Sequence, residues 1–278
     1  MNRSPRIRLV EVGPRDGLQT LARFVPTAVK IAFVDALSEC GFPEIEVGSF
    51  VSPKWIPQLA DSEEVFAGIR RKPGVIYSAL VPNEEGLARA GRAGAGKVAV
   101  FTAASETFNL KNTSATIAES LKRFAAFVPG ALVPVRGYIS TAWHCPYEGP
   151  IRPEQVIPVA EALLELGCEE LSIGDTIGKA SPDEVTRLFE RLLRSCAAER
   201  LAGHFHDTYG QAVENARAAA ELGIATFDSS AGGIGGCPYA PGAPGNVATE
   251  TLVEAFPGRT GIDLARLAIA RKLIADSR

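Results

Sequence analysis

Leu201-Ala202-Gly203-His204-Phe205-His206 reads as a strand, and Gln211–Leu222 after it reads as a helix that ends at Gly223. A glycine there suits the left-handed cap of a helix C-terminus. This strand-then-helix unit recurs along the chain. Candidate strands are Ile7–Val12, Glu44–Val47, Val75–Ala79, Lys97–Thr102, Val133–Ser140, Glu170–Ile173, Leu201–His206 and Thr226–Ser229. Between them lie candidate helices Thr27–Cys40, Ser62–Arg70, Asn83–Ala93, Thr113–Phe127, Pro153–Leu166, Ser181–Arg194 and Gln211–Leu222, with Val247–Ala255 and Asp263–Asp276 at the end. Gly41 and Gly167 repeat the cap. Ser181-Pro182-Asp183-Glu184 reads as an N-cap, a first-turn proline and an acidic first turn. Eight such units predict an α/β fold, a TIM (β/α)₈ barrel, as one catalytic domain over residues 1–278. A doubly wound sheet competes, but it usually closes with fewer strands and carries a nucleotide-binding turn.

A barrel gathers its chemistry at the carboxyl ends of the strands. In an extended strand, residues two apart share a face, so His204 and His206 project side by side. An anionic partner is available in Asp16, after strand one. Asp-His-His suits Mg²⁺ or Mn²⁺, although imidazole also admits Zn²⁺ or Co²⁺. Asn246 reads either as a fourth ligand through its amide oxygen or as a helix N-cap before Val247. Arg15 reads as a salt-bridge partner of Glu46 or Asp175, as a cation that stabilises a developing enolate, or as both. The stretch Ala231–Gly245 is rich in glycine and proline and lacks the lysine of a phosphate loop. It reads as a flap with Cys237 at its tip.

The remaining composition narrows the classes. The chain has 278 residues, a formal net charge of −3 and a mean hydropathy of +0.08. No basic block suggests nucleic acid, and no apolar run approaches the roughly 20 residues of a membrane span. Five cysteines, an odd number without Cys-x-x-Cys pairing, point to a reduced, cytoplasmic protein. The amino terminus leads at once into a strand, so no targeting segment is expected.

Five segments carry a resemblance. They are Val10-Glu11-Val12-Gly13-Pro14-Arg15-Asp16-Gly17-Leu18-Gln19, Ser49-Phe50-Val51-Ser52-Pro53-Lys54-Trp55, Gly174-Asp175-Thr176-Ile177-Gly178, His204 through Ala212, and Gly235-Gly236-Cys237-Pro238-Tyr239-Ala240. In this order they resemble hydroxymethylglutaryl-CoA lyase. The first segment alone would indicate only the wider superfamily of metal-dependent lyases and synthases. The resemblance implies a divalent cation held by Asp16, His204, His206 and Asn246. It implies Arg15 at the enolate, Cys237 as a catalytic flap residue, Glu46 and Asp175 orienting the site, and Ser49 and Ser172 contacting the acyl chain. The implied reaction cleaves 3-hydroxy-3-methylglutaryl-CoA to acetyl-CoA and acetoacetate, with Asp16 or His204 as base and Cys237 as a candidate proton donor. The expected partner is an acyl-CoA, with a homodimer as the assembly considered and neither nucleic acid nor membrane involved. Alternatives are a lyase for a related 3-hydroxy-3-alkylglutaryl-CoA, a condensing synthase, or a catalytically silent scaffold. One departure follows Gln19, where Thr20-Leu21-Ala22 replaces the family's polar residues. This predicts a shifted or broadened substrate, unless the segment merely covers the barrel exterior.

Overall fold

The computed structural model describes residues 5–236 and 245–275. Eight strands form a closed barrel: β1 Arg8–Glu11, β2 Glu44–Ser49, β3 Ile76–Leu80, β4 Lys97–Ala103, β5 Val135–Ser140, β6 Glu170–Asp175, β7 Leu201–Phe205 and β8 Thr226–Ser229. Each strand pairs in parallel with its sequence neighbour, and β8 pairs with β1 to close the ring. Helices α1 Thr27–Ser38, α2 Ser62–Gly68, α3 Glu84–Arg92, α4 Glu106–Thr113, α5 Ile117–Ala125, α6 Pro153–Glu165, α7 Pro182–Leu192, α8 Ala212–Glu221, α9 Thr249–Ala255 and α10 Leu264–Ala275 accompany the sheet. The expected TIM barrel is therefore present.

The largest departure from the sequence reading lies at 106–125. The expected helix Thr113–Phe127 starts only at Ile117, as α5, and an unexpected helix, α4, precedes it. Ser114, at φ 53°, ends α4 in the left-handed region. Thr116 then starts α5 with a capping box to Glu119, a Thr-x-x-Glu signal present in the sequence. A short hairpin, His144–Cys145 with Gly149–Pro150, was also not expected.

Strand alternation separates two environments. Leu9, Ile45, Val98, Val100, Ile139, Leu171, Ile173 and Phe227 pack outward against the helices in the main hydrophobic core. The inward face is ionic. Lys97 bonds Glu44 and Glu170 at 3.0 Å each, Arg8 pairs with both of these carboxylates, and Arg136 lies 2.8 Å from Glu170 and 2.7 Å from Asp228. Such buried pairs contribute little net stability while intact, but losing one partner costs about 3–5 kcal/mol.

Glu11 fastens the seam where the ring closes. Its buried carboxylate accepts hydrogen bonds from Gly13 N (2.8 Å), Ala231 N (3.0 Å) and the Thr249 hydroxyl (3.0 Å). Burial pushes this carboxyl up to about 8, against the pull of those donors. Asp175 is likewise pushed up by burial, to about 6, against two backbone donors. A carboxyl raised in the folded state binds its proton more tightly there than in the unfolded chain. The stability that these two groups contribute is therefore fully present only below the ordinary carboxylate range. It is lost as pH rises through about 6 for Asp175 and about 8 for Glu11, whereas Asp16, Asp228 and His206 act in the opposite sense at acid pH. One such group changes stability by at most about 1.4 kcal/mol per pH unit. Melting temperatures of the metal-free protein across this window check the sign, and a profile that rises toward alkaline pH contradicts it.

Candidate metal centre

After β1, Gly13–Gly17 forms one π-helical turn, with Asp16 N donating to Val12 O at 2.7 Å. The turn packs tightly on the segment after β8. A Cβ on Gly17 would lie 2.6 Å from Ile234 Cγ1, so only glycine fits without a shift. Arg15 and Asp16 leave this turn side by side. Nη1 of Arg15 donates to Asp16 Oδ1 at 2.7 Å, while its Nε donates to Glu46 Oε2 at 2.6 Å. The expected Arg15–Glu46 pair is therefore formed, and Asp175 plays no part in it. Asp16 also accepts from Gln19 Nε2 and from Asn246 Nδ2, each at 2.8 Å.

The two histidines meet this carboxylate. Their ring centroids are 5.3 Å apart, and ligand atoms of Asp16, His204 and His206 lie within 4.8 Å of one another. Nδ1 of buried His206 has no hydrogen-bond partner among the described residues. An unpaired buried imidazole nitrogen facing a carboxylate and a second imidazole fits a divalent cation. Asn246 lies against Asp16 and does not cap α9, whose N-cap is Ala248.

The electrostatics prepare these groups as ligands. Burial opposes ionisation of Asp16, but Arg15, His204 and His206 outweigh it and hold the carboxyl below its usual range. Burial, then the neighbouring His204, pushes His206 down to about 4. It is therefore neutral near pH 7, as a metal ligand must be. His204 moves the other way. Burial disfavours its cation, but the hydrogen bond and charge of Asp228 outweigh burial and raise it.

Asp228 is a functional residue that the sequence reading missed. It faces inward from β8, and its Oδ2 lies 3.1 Å from His204 Nδ1. Arg136 overcomes burial and, with His204 and Ser172, keeps Asp228 ionised well below the ordinary range. Nδ1 of His204 is then the donor, which leaves Nε2 for a metal, the usual carboxylate–histidine–metal arrangement. Tyr138 was missed too. Its hydroxyl donates to Glu46 at 3.2 Å, and its ring lies 5.2 Å from Arg15 Cζ. The available signal was period-two alternation, which aims Arg136, Tyr138 and Asp228 into the barrel. Asp228→Asn is expected to weaken metal binding about ten- to a hundredfold, because the amide no longer fixes the His204 proton. Calorimetric titration with Mn²⁺, beside a melting curve, measures this; unchanged affinity contradicts it.

Several expected site residues are placed differently. Asp175 faces outward by the same alternation, and its carboxylate accepts from Lys179 N (3.1 Å) and Ala180 N (2.9 Å). It shapes the loop after β6 and does not join the Arg15–Asp16–His204 cluster. Ser172 is fully buried and donates to Asp228 at 2.8 Å, beneath His204, so its hydroxyl is not presented at the mouth. Ser49 does belong to the inward set, because a register shift between Glu46 and Gly48 restores it to that face. Cys237 lies outside the described residues. Of the other cysteines, Cys40, Cys145 and Cys168 are buried and Cys196 partly so. Leu21 packs against the main core, and Gln58 Nε2 bonds the carbonyls of Leu21 (3.2 Å) and Arg23 (2.7 Å). Leu21 thus takes the second of the two placements considered, against the barrel exterior. Thr20 instead accepts from Gly236 N at 2.9 Å, tying the first loop to the glycine-rich segment.

The same architecture recurs in known proteins. The HMGL-like family profile matches residues 6–274. A 3-hydroxy-3-isohexenylglutaryl-CoA/hydroxy-methylglutaryl-CoA lyase of Pseudomonas aeruginosa is 51% identical, over 99% of this chain and 93% of its own. The crystal structure of the HMG-CoA lyase from Brucella melitensis superposes with a TM-score of 0.96 at 49% identity, covering 99% of both chains. An HMG-CoA lyase from Acinetobacter baumannii, in complex with coenzyme A and 3-methylmalate, gives a TM-score of 0.94 at 41% identity, over 100% of this chain and 93% of that one. On the profile match and these identities, this chain belongs to the HMGL-like family.

Proposed function

We propose that this protein is a divalent-metal-dependent carbon–carbon lyase that cleaves 3-hydroxy-3-methylglutaryl-CoA to acetyl-CoA and acetoacetate. The observation that carries the reading is the cluster of Asp16, His204 and His206 with the Arg15 guanidinium beside it. Asp16, His204, His206 and Asn246 would hold Mg²⁺ or Mn²⁺. When bound, such an ion polarises the tertiary hydroxyl and a neighbouring carboxylate oxygen and lowers the hydroxyl pKa.

The chain's own groups account for the rest. Asp16 would take the hydroxyl proton, because His204, with its Nδ1–H given to Asp228 and its Nε2 given to the cation, has no lone pair left for it. The bond between the tertiary carbon and the thioester-bearing carbon then breaks. Its electrons pass to the acetyl-CoA enolate, and acetoacetate takes the new carbonyl. Arg15, held by Glu46 and Asp16, presents a fixed positive charge to the enolate oxygen. Cys237 is proposed, on sequence grounds, to return a proton to carbon. The bound partner is an acyl-CoA, the compartment is the cytoplasm, and the reaction belongs to leucine breakdown and ketone-body formation. No helix among the described residues is long and apolar enough to cross a membrane. Acetoacetate release from 3-hydroxy-3-methylglutaryl-CoA, with and without EDTA, tests the reading. Metal-dependent release supports it; no release from the metal-loaded protein refutes it.

A further inference from the structure

The barrel mouth has two chemically distinct walls. Asp16, His204, His206 and Asn246 come from β1, β7 and the segment after β8. The opposite wall, from β3, β4 and β5, is apolar. Leu80, Ala99 and Tyr138 form a cluster of their own, separate from the core under the helices, with Val51 and Phe101 packed on it. Leu80 pairs with Ala99 across one strand boundary and Phe101 with Tyr138 across the next. Alternation therefore turns all four into the barrel. Val51 and Phe101 are only half-buried, so the cluster opens at the mouth. Tyr138 joins the walls, its ring centroid 6.2 Å from that of His204 and its hydroxyl on Glu46. Elsewhere the inward face is dominated by ion pairs, from Arg8 and Lys97 up to Arg136 and Asp228. Leu80 and Ala99 are only 8% and 2% exposed, so Val51 and Phe101 are the part of this wall open to an apolar guest, with Leu80 and Ala99 packed against it.

We propose that this wall seats the alkyl substituent on the substrate's tertiary carbon, and that Leu80, Ala99 and Phe101 set the size it accepts. The inference rests on the lyase reading and names the substrate class within it: 3-hydroxy-3-alkylglutaryl thioesters. The tertiary carbon carries a hydroxyl, a carboxylate arm, a thioester arm and one alkyl group. Three of these have oxygens that Arg15 and the ligand cluster can serve. The alkyl group alone has no polar demand, and orienting the oxygens toward Asp16, His204 and His206 turns it to the far side. There Ala99 offers only a methyl group, and the ring of Phe101 borders the opening.

The test is kcat/KM for 3-hydroxy-3-methylglutaryl-CoA and 3-hydroxy-3-ethylglutaryl-CoA, in the metal-loaded protein and in Ala99→Val, Leu80→Ala and Phe101→Ala. One methylene in an apolar pocket is worth roughly tenfold or more in discrimination. Ala99→Val should therefore lower the ethyl-to-methyl ratio about tenfold, while Leu80→Ala and Phe101→Ala should raise it by a similar factor. Phe101 is half-exposed, so its variant keeps the test alive if the buried substitutions unfold the barrel. Ratios within twofold of the unmutated protein in every folded variant overturn the assignment while leaving the lyase reading intact. Failure of the unmutated protein to cleave the methyl substrate overturns both.

Discussion

His206→Ala is expected to strip the protein of its divalent cation and lower turnover by on the order of a thousandfold, equivalent to about 4 kcal/mol of activation free energy. The side chain is buried, yet its Nδ1 finds no hydrogen bond among the described residues. Leaving a buried polar atom unpaired costs roughly 1–3 kcal/mol, so a fold gains nothing from the arrangement unless a ligand completes it. The ring is held neutral by burial and by His204, with its pKa pushed down to about 4. Removing it takes away one of the four proposed ligands and breaks no ion pair of the barrel interior. The metal-free variant should therefore melt within a few degrees of its parent. Metal content after gel filtration, read beside a melting curve, decides the matter. Full occupancy in a well-folded variant would refute the proposed ligand set.

Arg15→Lys is expected to lower kcat by about 10²–10³-fold with little change in KM, a loss of roughly 3–4 kcal/mol felt in the transition state. The guanidinium reaches Glu46 with one side of its fork and Asp16 with the other, and it stacks on Tyr138. A lysine ammonium keeps the charge but cannot span both carboxylates. Mn²⁺ affinity measured on the same variant separates the two possible causes. Affinity within tenfold of the parent assigns the loss to the enolate, whereas collapsed affinity would make Arg15 chiefly a support for Asp16. A raised KM with normal kcat would reduce it to a substrate anchor.

The barrel was legible because its signals are local. Apolar strands alternate with capped helices, and the glycines at 41, 167 and 223 take the positive φ their positions suggested. His204 and His206 were legible for the same reason, since strand geometry fixes their common face. Asp16 and Arg15 needed only the barrel's polarity to join them. What escaped required knowing which face of each strand turns inward. Asp175 and Asp228 are both aspartates near the end of a strand, but one faces the helix layer and the other the site. The resemblance put Ser172 at the acyl chain, and its burial against Asp228 was not legible because the depth of a residue below the rim is not written in its neighbours. Leu21 stayed open between two placements because a loop's direction depends on distant anchors, here the Gln58 side chain. The true start of α5 was readable from Thr116 and Glu119, and the preceding helix α4 from the Ser105 cap that begins it.

Glu11 also bears on how the protein is made. It joins Gly13 to Ala231 and Thr249, which lie 220 and 238 positions along the chain from Glu11 itself. Synthesis delivers the amino end first. Asp16 thus leaves the ribosome long before His204, His206 and Asn246 have been translated. The four cannot be gathered before Asn246 is made, and a chain released short of that residue lacks the last ligand and the Thr249 tie to Glu11. The complete ligand set is thus expected only once synthesis has passed Asn246.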